Sequence, residues 1–367
     1  MAEAQVTVAV LGAAGTIAPA IVRDLAASGE VARMTLLDLD GGRAQAVADA
    51  HGGGKATAGA TDARAVDELA AALAGADVLV NTASYRINLD AMRACLKAGC
   101  TYLDLGGLYR VTGTQLELGP EFSRQGLLAV LGIGSSPGKT NLMALRGVRE
   151  LAREDATKIE VIAGGRDLGA PDDGRFRPPY ALQTLIDELT LSPVVLRDGR
   201  AEEIAPLTDG GTEDFGDPIG PGETIFTLHS ELATFGESFG CREASFRLSL
   251  APALLERLEQ LAQASDEERA AAARDAARPS AETVSVHLVR LTGAGGSRVL
   301  VRSIARPWAG LGGSVVSTAT PAAAAVRLLA RGSVTATGAL PPERCLEPEE
   351  MFAELEQRGC TFSVSTA

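Results

Sequence analysis

The residues best suited to chemistry near the start of this chain form a glycine-containing segment after a short apolar run. Residues 12–18, GAAGTIA, form a G-x-x-G-x-x-A pattern. Glycines let the backbone turn tightly beside a pyrophosphate, and the N-terminus of a following helix offers N–H groups and partial positive charge to it. Asp38, at the end of the next apolar run, can accept hydrogen bonds from the ribose hydroxyls of an adenosine. The pattern predicts a dinucleotide-binding turn.

The same segment bears on which dinucleotide binds. We expect five residues of this segment to contact the dinucleotide: Gly12, Ala14, Gly15, Thr16 and Ile17. The acidic residue at position 38 favours NAD over NADP, because a 2′-phosphate would meet its negative charge. An arginine at position 43 softens this preference, so NADP stays possible. The alternative is a structural turn whose glycines serve packing alone.

Polar residues follow later apolar runs in the same way. Asp62 follows the third run, and Asn81, Thr82 and Ala83 follow the fourth. Ligands of open parallel sheets bind outside the carboxyl ends of the strands. We therefore expect Asp62 near the adenine and the other three residues at the cofactor. Segments 81–86 and 104–109 are expected to flank the nicotinamide.

The elements that must position these residues alternate between strand and helix. Strand-like runs cover 6–11, 34–37, 55–58, 78–80, 101–103 and 127–131, and helical patterns cover 17–27, 66–73, 88–98 and 120–125. Such alternation predicts an α/β fold with a doubly wound parallel sheet of the Rossmann type.

Beyond residue 134 the pattern changes. Strand-like segments cover 158–163, 194–197, 245–250, 283–292 and 298–304, and helical patterns cover 140–153, 321–330, 349–358 and two helices within 254–277, the second capped by Asp266. They predict an α+β domain with a mixed or antiparallel sheet. Segments 165–179 and 209–223 are rich in Gly, Pro and Asp, which is typical of lids or surface loops.

Composition excludes several classes of protein. The 367 residues carry a net charge of −13 without a Lys/Arg cluster, so nucleic acid is not an expected partner. No apolar run approaches the length of a membrane span, and the N-terminus lacks the pattern of a signal peptide. The five cysteines form no C-x-x-C pair, and with only three histidines we expect no metal site and no disulfide framework. These features favour a cytoplasmic protein.

Several longer segments together resemble the saccharopine dehydrogenase family, and within it the lysine 6-dehydrogenases. They are VLGAAGTIA, DVLVNTASYRINLDAMRACLKAGCTYLDLGG, LGIGSSPGKTN, SPVVLRDG, and RLLARGSVTATGALPPE followed by MFAELEQRG. The resemblance implies a Rossmann domain over 1–134, a substrate and dimerisation domain over 135–317, and a C-terminal segment, 318–367, that returns to the first domain. It also implies a homodimer.

The resemblance further implies an NAD(P)-dependent oxidoreductase that acts on a C–N bond of a small amino acid substrate. In the lysine 6-dehydrogenase form, a terminal amine is oxidised to an imine. One alternative is a reductive coupling of an amine and an aldehyde, of the saccharopine or carboxynorspermidine type. A further alternative is a dinucleotide-binding sensor or scaffold without turnover.

Three residues are candidates for catalysis in such a reaction. Asp104 is expected to move a proton or hold the substrate ammonium, because burial at a strand end raises a carboxyl pKa; the alternative is that it caps a turn. Tyr85 is expected over the nicotinamide or hydrogen-bonded to substrate, with plain packing as the alternative. His229 is a candidate because imidazole titrates near neutrality, although a lone histidine is more often structural.

Candidate substrate contacts lie in both predicted domains. Gly106 and Gly107 come two and three residues after Asp104, and Pro137 and Gly138 lie just beyond the Rossmann pattern, at the start of the second domain. Two further candidates belong to the second domain. Tyr180 follows a Pro-Pro pair, and Glu231 would bind a substrate ammonium unless it lies on a solvated surface.

Overall fold

A computed structural model describes residues 5–151, 154–169, 175–277 and 279–367. The chain divides into two compact units. Unit 1 comprises Met1–Leu142 and Thr318–Leu355, and unit 2 comprises Met143–Ser317 and Glu356–Ala367. This division differs from the predicted single C-terminal segment 318–367, because the residues after Leu355 cluster with unit 2.

The bounds of the regular elements within the described residues are as follows. The strands are β1 (Val6–Leu11), β2 (Val31–Asp38), β3 (Ala56–Ala60), β4 (Val78–Asn81), β5 (Thr101–Asp104), β6 (Leu128–Val130), β7 (Ala156–Asp167), β8 (Val194–Arg197), β9 (Arg200–Glu203), β10 (Asp209–Asp214), β11 (Pro221–Phe226), β12 (Glu243–Ser249), β13 (Thr283–Gly293), β14 (Arg298–Ala305), β15 (Gly338–Leu340) and β16 (Cys360–Thr366). The α-helices are α1 (Ala18–Ala26), α2 (Gly41–His51), α3 (Val66–Ala72), α4 (Asn88–Ala98), α5 (Leu108–Leu116), α6 (Gly119–Arg124), α7 (Lys139–Arg149), α8 (Leu182–Thr190), α9 (Phe235–Phe239), α10 (Pro252–Ala262), α11 (Asp266–Asp275), α12 (Gly313–Ala330) and α13 (Pro348–Glu356).

Unit 1 is built on a parallel sheet of seven strands in the order β15-β6-β5-β4-β1-β2-β3. Its strands are short and apolar, and buried side chains such as Leu79 and Tyr102 pack beneath α3 and α4 in one core. The register aligns the strand ends, since Leu11 pairs with both Leu37 and Asn81, and Asn81 pairs with Asp104. The predicted Rossmann-type sheet is confirmed, and its polar strand ends share one edge.

Unit 2 contains a mixed sheet in the order β10-β11-β12-β7-β13-β14-β16, with β8 and β9 beside β12. The β12–β7 pair is parallel and the remaining pairs are antiparallel. The predicted mixed sheet is confirmed. The final strand, β16, extends this sheet by pairing with β14, which explains why the end of the chain clusters with unit 2.

Several local predictions were wrong or incomplete. Segment 209–223 was predicted to be a lid or loop, but β10 and β11 pair there as a hairpin, since its glycines permit the tight turn between them. Ser265 rather than Asp266 caps α11, because the Ser265 hydroxyl and the Glu268 side chain form reciprocal hydrogen bonds with the backbone. Parts of the predicted loop 165–179 and of the predicted helix 140–153 lie outside the described residues.

Several helices also differ from the predicted pattern. Helix α12 begins at Gly313, eight residues before the predicted start at Pro321, because buried alanines pack the turns on both sides of this proline. Helices α2, α5, α8 and α9 were not predicted from the sequence. No helix among the described ranges combines the length and apolar character needed to cross a membrane.

A buried ion-pair network joins three helices of unit 1. Arg327 of α12 is 2% exposed and contacts Asp24 of α1 at 3.2 Å and Glu354 of α13 at 2.7 Å. Arg331, one turn later, contacts Glu354 at 2.7 Å and Glu30 at 2.5 Å. The network therefore holds α12 and α13 against α1 and the start of β2.

This network predicts a specific acid sensitivity. Burial would raise the pKa of Glu30, but Ser28 and Arg331 outweigh it and lower the pKa from 4.5 to about 2. Because the folded-state pKa is depressed, the stabilisation is complete above the unfolded value of 4.5 and is lost as the pH falls towards 2. We expect the free energy of unfolding of Glu30→Gln to depend less on pH across this window than that of the wild type, as measured by urea unfolding. If the free energy of unfolding varied with pH equally in the two proteins, the low pKa of Glu30 would not be the source of the acid sensitivity.

Candidate functional site

The glycine turn of unit 1 is closed by backbone hydrogen bonds at the end of β1. Gly12 adopts a φ of +76°, and its N–H donates to Leu37 O at 2.8 Å. A Cβ at Gly12 would lie 2.7 Å from Ala83 N, so only glycine fits against the segment after β4. The next glycine of the pattern, Gly15, donates to Gly12 O at 2.9 Å. The glycines thus serve both the tight turn and the close packing.

Helix α1 follows this turn and supplies the expected anion-binding geometry. It begins at Ala18, carries Pro19 in its first turn, and has no side-chain cap at Ile17. The first N–H groups of an α-helix have no intrahelical partner, and the helix dipole favours negative charge there. The uncapped end therefore fits a pyrophosphate, with Thr16 and Ile17 immediately before it.

Asp38 has a structural task in addition to its predicted one. Its carboxylate accepts the N–H of Ala14 at 2.9 Å and that of Asp40 at 3.2 Å. Arg43 donates to Ala14 O at 3.0 Å, which places a guanidinium beside the same turn. The position thus presents both the acidic group that favours NAD and a cation suited to a phosphate. Asp62 is exposed at the end of the neighbouring β3 and accepts the N–H of Arg64 at 3.0 Å.

The segment after β4 forms the second wall of the turn. The Thr82 hydroxyl donates to Leu11 O at 2.8 Å and lies 3.1 Å from Gly12 O. Asn81 is 1% exposed, and its amide oxygen accepts the N–H of Ala83 at 3.1 Å. The predicted residues Asn81, Thr82 and Ala83 are therefore brought to the glycine turn. Tyr85 follows, half-buried, with the Arg86 guanidinium 4.8 Å from its ring centroid.

Asp104 is a saturated acceptor. It is 1% exposed, and although donors oppose the effect, burial raises the pKa of its carboxyl. The donors are Gln115 Nε2 (2.6 Å), Gly132 N (2.7 Å), Gly106 N (2.9 Å), Tyr102 OH (3.0 Å) and Asn88 Nδ2 (3.1 Å). A carboxylate offers about four lone-pair sites, so these donors leave no place for a substrate ammonium. The geometry favours the turn-capping alternative, and a catalytic role for Asp104 stays a prediction.

The neighbouring glycines are constrained by packing. A Cβ at Gly107 would lie 2.4 Å from Gln115 Oε1, and one at Gly138 would lie 2.4 Å from Gly134 N. Gly106 has a φ of +135°. Pro137 packs against Gly132, where a Cβ would lie 2.5 Å from its Cγ. These four predicted substrate residues form close-packed turns after β5 and β6, and their contact with substrate stays a prediction.

The candidate residues of unit 2 meet in a cluster within that unit, which we call the acidic cluster: Tyr180, Glu188, His229 and Glu231. The His229 ring stacks on Phe246 at 3.4 Å between centroids. Its Nδ1 lies 3.3 Å from Glu231 Oε2 and its Nε2 lies 3.8 Å from Glu188 Oε1. The other oxygen of Glu188 accepts the hydroxyl of Tyr180.

Burial and the two carboxyl groups together determine the electrostatics of this cluster. Glu231 is fully buried, which excludes the solvated-surface alternative, while His229 and Glu188 are 5% and 4% exposed. Burial lowers the pKa of His229, but the Glu231 and Glu188 carboxylates outweigh it and raise the pKa. Burial raises the pKa of Glu188, and it raises that of Tyr180 well above its ordinary value. Two buried carboxyl groups on either side of one imidazole form an environment suited to a cation.

Sequence reasoning missed Glu188, Asn88 and Gln115. Glu188 could have been found, because it lies within the apolar helical run of α8 between buried leucines at 185 and 189. A charged residue on the buried face of a helix requires a partner. Asn88 and Gln115 are polar residues within amphipathic helices, and no local pattern distinguishes them.

Residues 8–130 match the family described as the saccharopine dehydrogenase NADP binding domain. Carboxyaminopropylagmatine dehydrogenase of Synechocystis sp. (strain ATCC 27184 / PCC 6803 / Kazusa) is 26% identical over 196 residues, which are 51% of this chain. This chain spans about half, 48%, of that relative's length.

A solved structure shares the fold over nearly the whole chain. Apo histidine-tagged saccharopine dehydrogenase (L-Glu forming) from Saccharomyces cerevisiae matches 99% of this chain and 100% of its own, with a TM-score of 0.72 and 16% identity. The predicted NAD(P) binding is confirmed by the family match of unit 1. The predicted resemblance is also confirmed: this chain resembles the saccharopine dehydrogenase family and contains that family's NADP-binding domain.

Proposed function

We propose that this protein is an NAD(P)-dependent oxidoreductase that oxidises a C–N bond of a cationic amine. The observation that carries the proposal is the dinucleotide edge of unit 1, where the Gly12 turn, the uncapped start of α1 and Asp38 fit a pyrophosphate and an adenosine ribose. The nicotinamide supplies hydride transfer when bound. The protein must bind and orient the amine and manage one proton.

The acidic cluster supports the cationic class of substrate. Glu188 and Glu231 place two buried carboxyl groups around His229, and their negative charge would attract a substrate ammonium. Tyr180 is half-buried and gives the cluster an edge towards solvent. In this proposal Glu231 and Glu188 attract the ammonium, and the neutral form of His229 takes the proton that the amine must lose. The raised pKa of His229 shifts the population of that neutral form to higher pH.

The finer proposal is that the substrate is an amino acid with a terminal amine, as in the lysine 6-dehydrogenases. A second candidate is the reductive coupling of an amine and an aldehyde. The names of the two relatives favour it, since one is a saccharopine dehydrogenase and the other a carboxyaminopropylagmatine dehydrogenase. A homodimer and a cytoplasmic location are also part of the proposal.

The reduction of NAD and NADP by a panel of amines tests this function. The panel contains L-lysine, L-ornithine, saccharopine and carboxyaminopropylagmatine, each followed by absorbance of the reduced nicotinamide. Turnover of lysine with release of ammonia would support the terminal-amine form, and turnover of the secondary amines alone would support the coupling form. Tight binding of NADH with no turnover of any amine would overturn the oxidoreductase proposal and favour the sensor or scaffold.

The role of the acidic cluster has its own prediction. Glu188→Gln keeps the shape of the side chain but removes a buried charge, a change that costs about 2–5 kcal/mol at such sites. We expect kcat/KM for the best amine to fall by about 30-fold or more while the Kd of NADH stays unchanged. Steady-state kinetics and NADH fluorescence give the two values. Glu243→Gln, at an exposed position of β12, is the matched control and should behave as wild type. If folded Glu188→Gln had an unchanged kcat/KM, the acidic cluster would not be part of the substrate site.

A further inference from the structure

The wall after β4 is held from inside unit 1 by a chain of side-chain hydrogen bonds. The N–H of Ala83 donates to Asn81 Oδ1 at 3.1 Å, and Asn81 Nδ2 donates to Asn88 Oδ1 at 2.9 Å. Asn88 Nδ2 then donates to Asp104 Oδ2 and to Gly106 O, both at 3.1 Å. Asn88 thereby joins the turn after β4 to the turn after β5.

The chemistry of Asp104 determines which way the Asn88 amide points. Asp104 receives two backbone N–H groups, from Gly106 and Gly132, and so acts as an acceptor. Asn88 must present its NH₂ to this carboxylate, and its oxygen is then left for Asn81. Only a side chain with one hydrogen-bond donor group and one acceptor group satisfies both neighbours. Aspartate has no donor group unless it is protonated, and leucine has neither group.

The other end of the chain of hydrogen bonds touches the dinucleotide turn. The backbone of Ala83 lies so close to Gly12 that an added Cβ would be 2.7 Å from Ala83 N. A small displacement of Ala83 therefore changes the shape of the glycine turn. Asn88 itself is 1% exposed and begins α4, the helix that follows this wall, so its effect must pass through Asn81.

We propose that Asn88 is a positioning residue for dinucleotide binding, which holds Ala83 against the Gly12 turn through Asn81. The inference deepens the proposed function and rests only on its dinucleotide-binding part. If wild-type protein binds NADH but turns over no amine, the proposed reaction fails and this inference can still be tested.

The test is the affinity for NADH of Asn88→Asp, measured by nucleotide fluorescence. The substitution keeps the size of the side chain and replaces the NH₂ group that donates to Asp104 by an oxygen. We expect the Kd of NADH to rise about tenfold at mildly alkaline pH, which corresponds to about 1.4 kcal/mol. Among the titratable groups, Asp104 of β5 faces the new carboxyl directly, and Tyr102 of the same strand donates its hydroxyl to Asp104.

Acidification separates a positioning role from simple destabilisation. Two carboxyls in contact share a proton readily, and the introduced carboxyl regains the lost donor once it is protonated. We expect the Kd of Asn88→Asp to return towards the wild-type value at mildly acidic pH. Asn88→Ser shortens the side chain, so that it no longer spans both neighbours, and adds no charge. Its Kd should stay raised at both pH values.

Two further variants act as controls. Arg93→Gln, at an exposed position of the same helix α4, removes only a surface ion pair with Asp90 and leaves the Asn81–Asn88 chain in place, so its Kd should stay within about twofold of wild type. Arg331→Gln disturbs the ion pairs with Glu30 and Glu354 and tests whether loss of stability alone weakens binding. A wild-type Kd for folded Asn88→Ser, or an equal loss in Arg331→Gln, would overturn the inference.

Discussion

Replacement of Gly12 by alanine is expected to abolish tight dinucleotide binding. The φ of +76° disfavours any residue with a Cβ, and the new Cβ would lie 2.7, 2.8 and 2.9 Å from Ala83 N, Cα and Cβ. Either the glycine turn or the wall after β4 must move. Because this collision displaces the backbone that the dinucleotide contacts, we expect the Kd of NADH to rise about 30-fold or more, which corresponds to about 2 kcal/mol. Isothermal titration with NADH and NADPH measures the loss.

A second glycine of unit 1 provides a matched control. Gly54 has a φ of +77°, but no heavy atom of the described residues lies within 4 Å of the Cβ that alanine would add. Gly54→Ala therefore imposes the same backbone strain without the collision. It should lower the free energy of unfolding by about 1 kcal/mol and leave the Kd of NADH unchanged. Equal loss of NADH affinity in both variants would show that strain, and not the approach of Ala83, determines binding.

Replacement of Arg327 by methionine is expected to have the largest effect on stability. The side chain is 2% exposed and neutralises Asp24 and Glu354, which are 8% and 6% exposed. Removing one partner of a buried ion pair costs about 3–5 kcal/mol, because the remaining charge stays out of water. We expect the unfolding transition of unit 1 to move to lower denaturant by a corresponding amount, as followed by circular dichroism.

Two comparisons make this prediction specific. Arg331→Met removes a half-exposed partner of the same network, and a pair of this kind contributes about 1 kcal/mol or less. The triple variant Asp24→Asn, Arg327→Met, Glu354→Gln removes all three charges and should recover much of the lost stability. The explanation fails if Arg327→Met costs no more than Arg331→Met, or if the triple variant is no more stable than Arg327→Met.

Local sequence was sufficient for strands β1 to β6 of the first unit, whereas β15 and the helices α2 and α5 were not predicted. Residues 6–11 and 78–80 are short apolar runs, and each precedes a polar residue or turn that the register aligns at one sheet edge. The position of Asp38 at the end of β2 followed from the same pattern. This success has a physical basis, since a parallel strand buried on both faces must be continuously apolar and its neighbours are set by the intervening helices.

Weaker patterns led to errors where tertiary pairing decided the structure. Segment 209–223 has the composition of a loop, yet β10 and β11 pair as a hairpin that extends a larger sheet. The final strand, β16, could not be assigned to a unit because its partner β14 is distant in sequence. Sheet edges depend on long-range hydrogen bonds, which local composition does not encode.

The sequence by itself determined the cofactor half of this protein: a glycine turn, an acidic strand end and a family resemblance, all carried by contiguous residues. Only the tertiary structure decided the tasks of individual polar residues. It surrounded Asp104 with donors from several segments, buried Glu231 beside His229, and brought Glu188 of α8 to the same imidazole. The reason is that burial and pairing, which set the charge and reach of a side chain, depend on residues far apart in the chain.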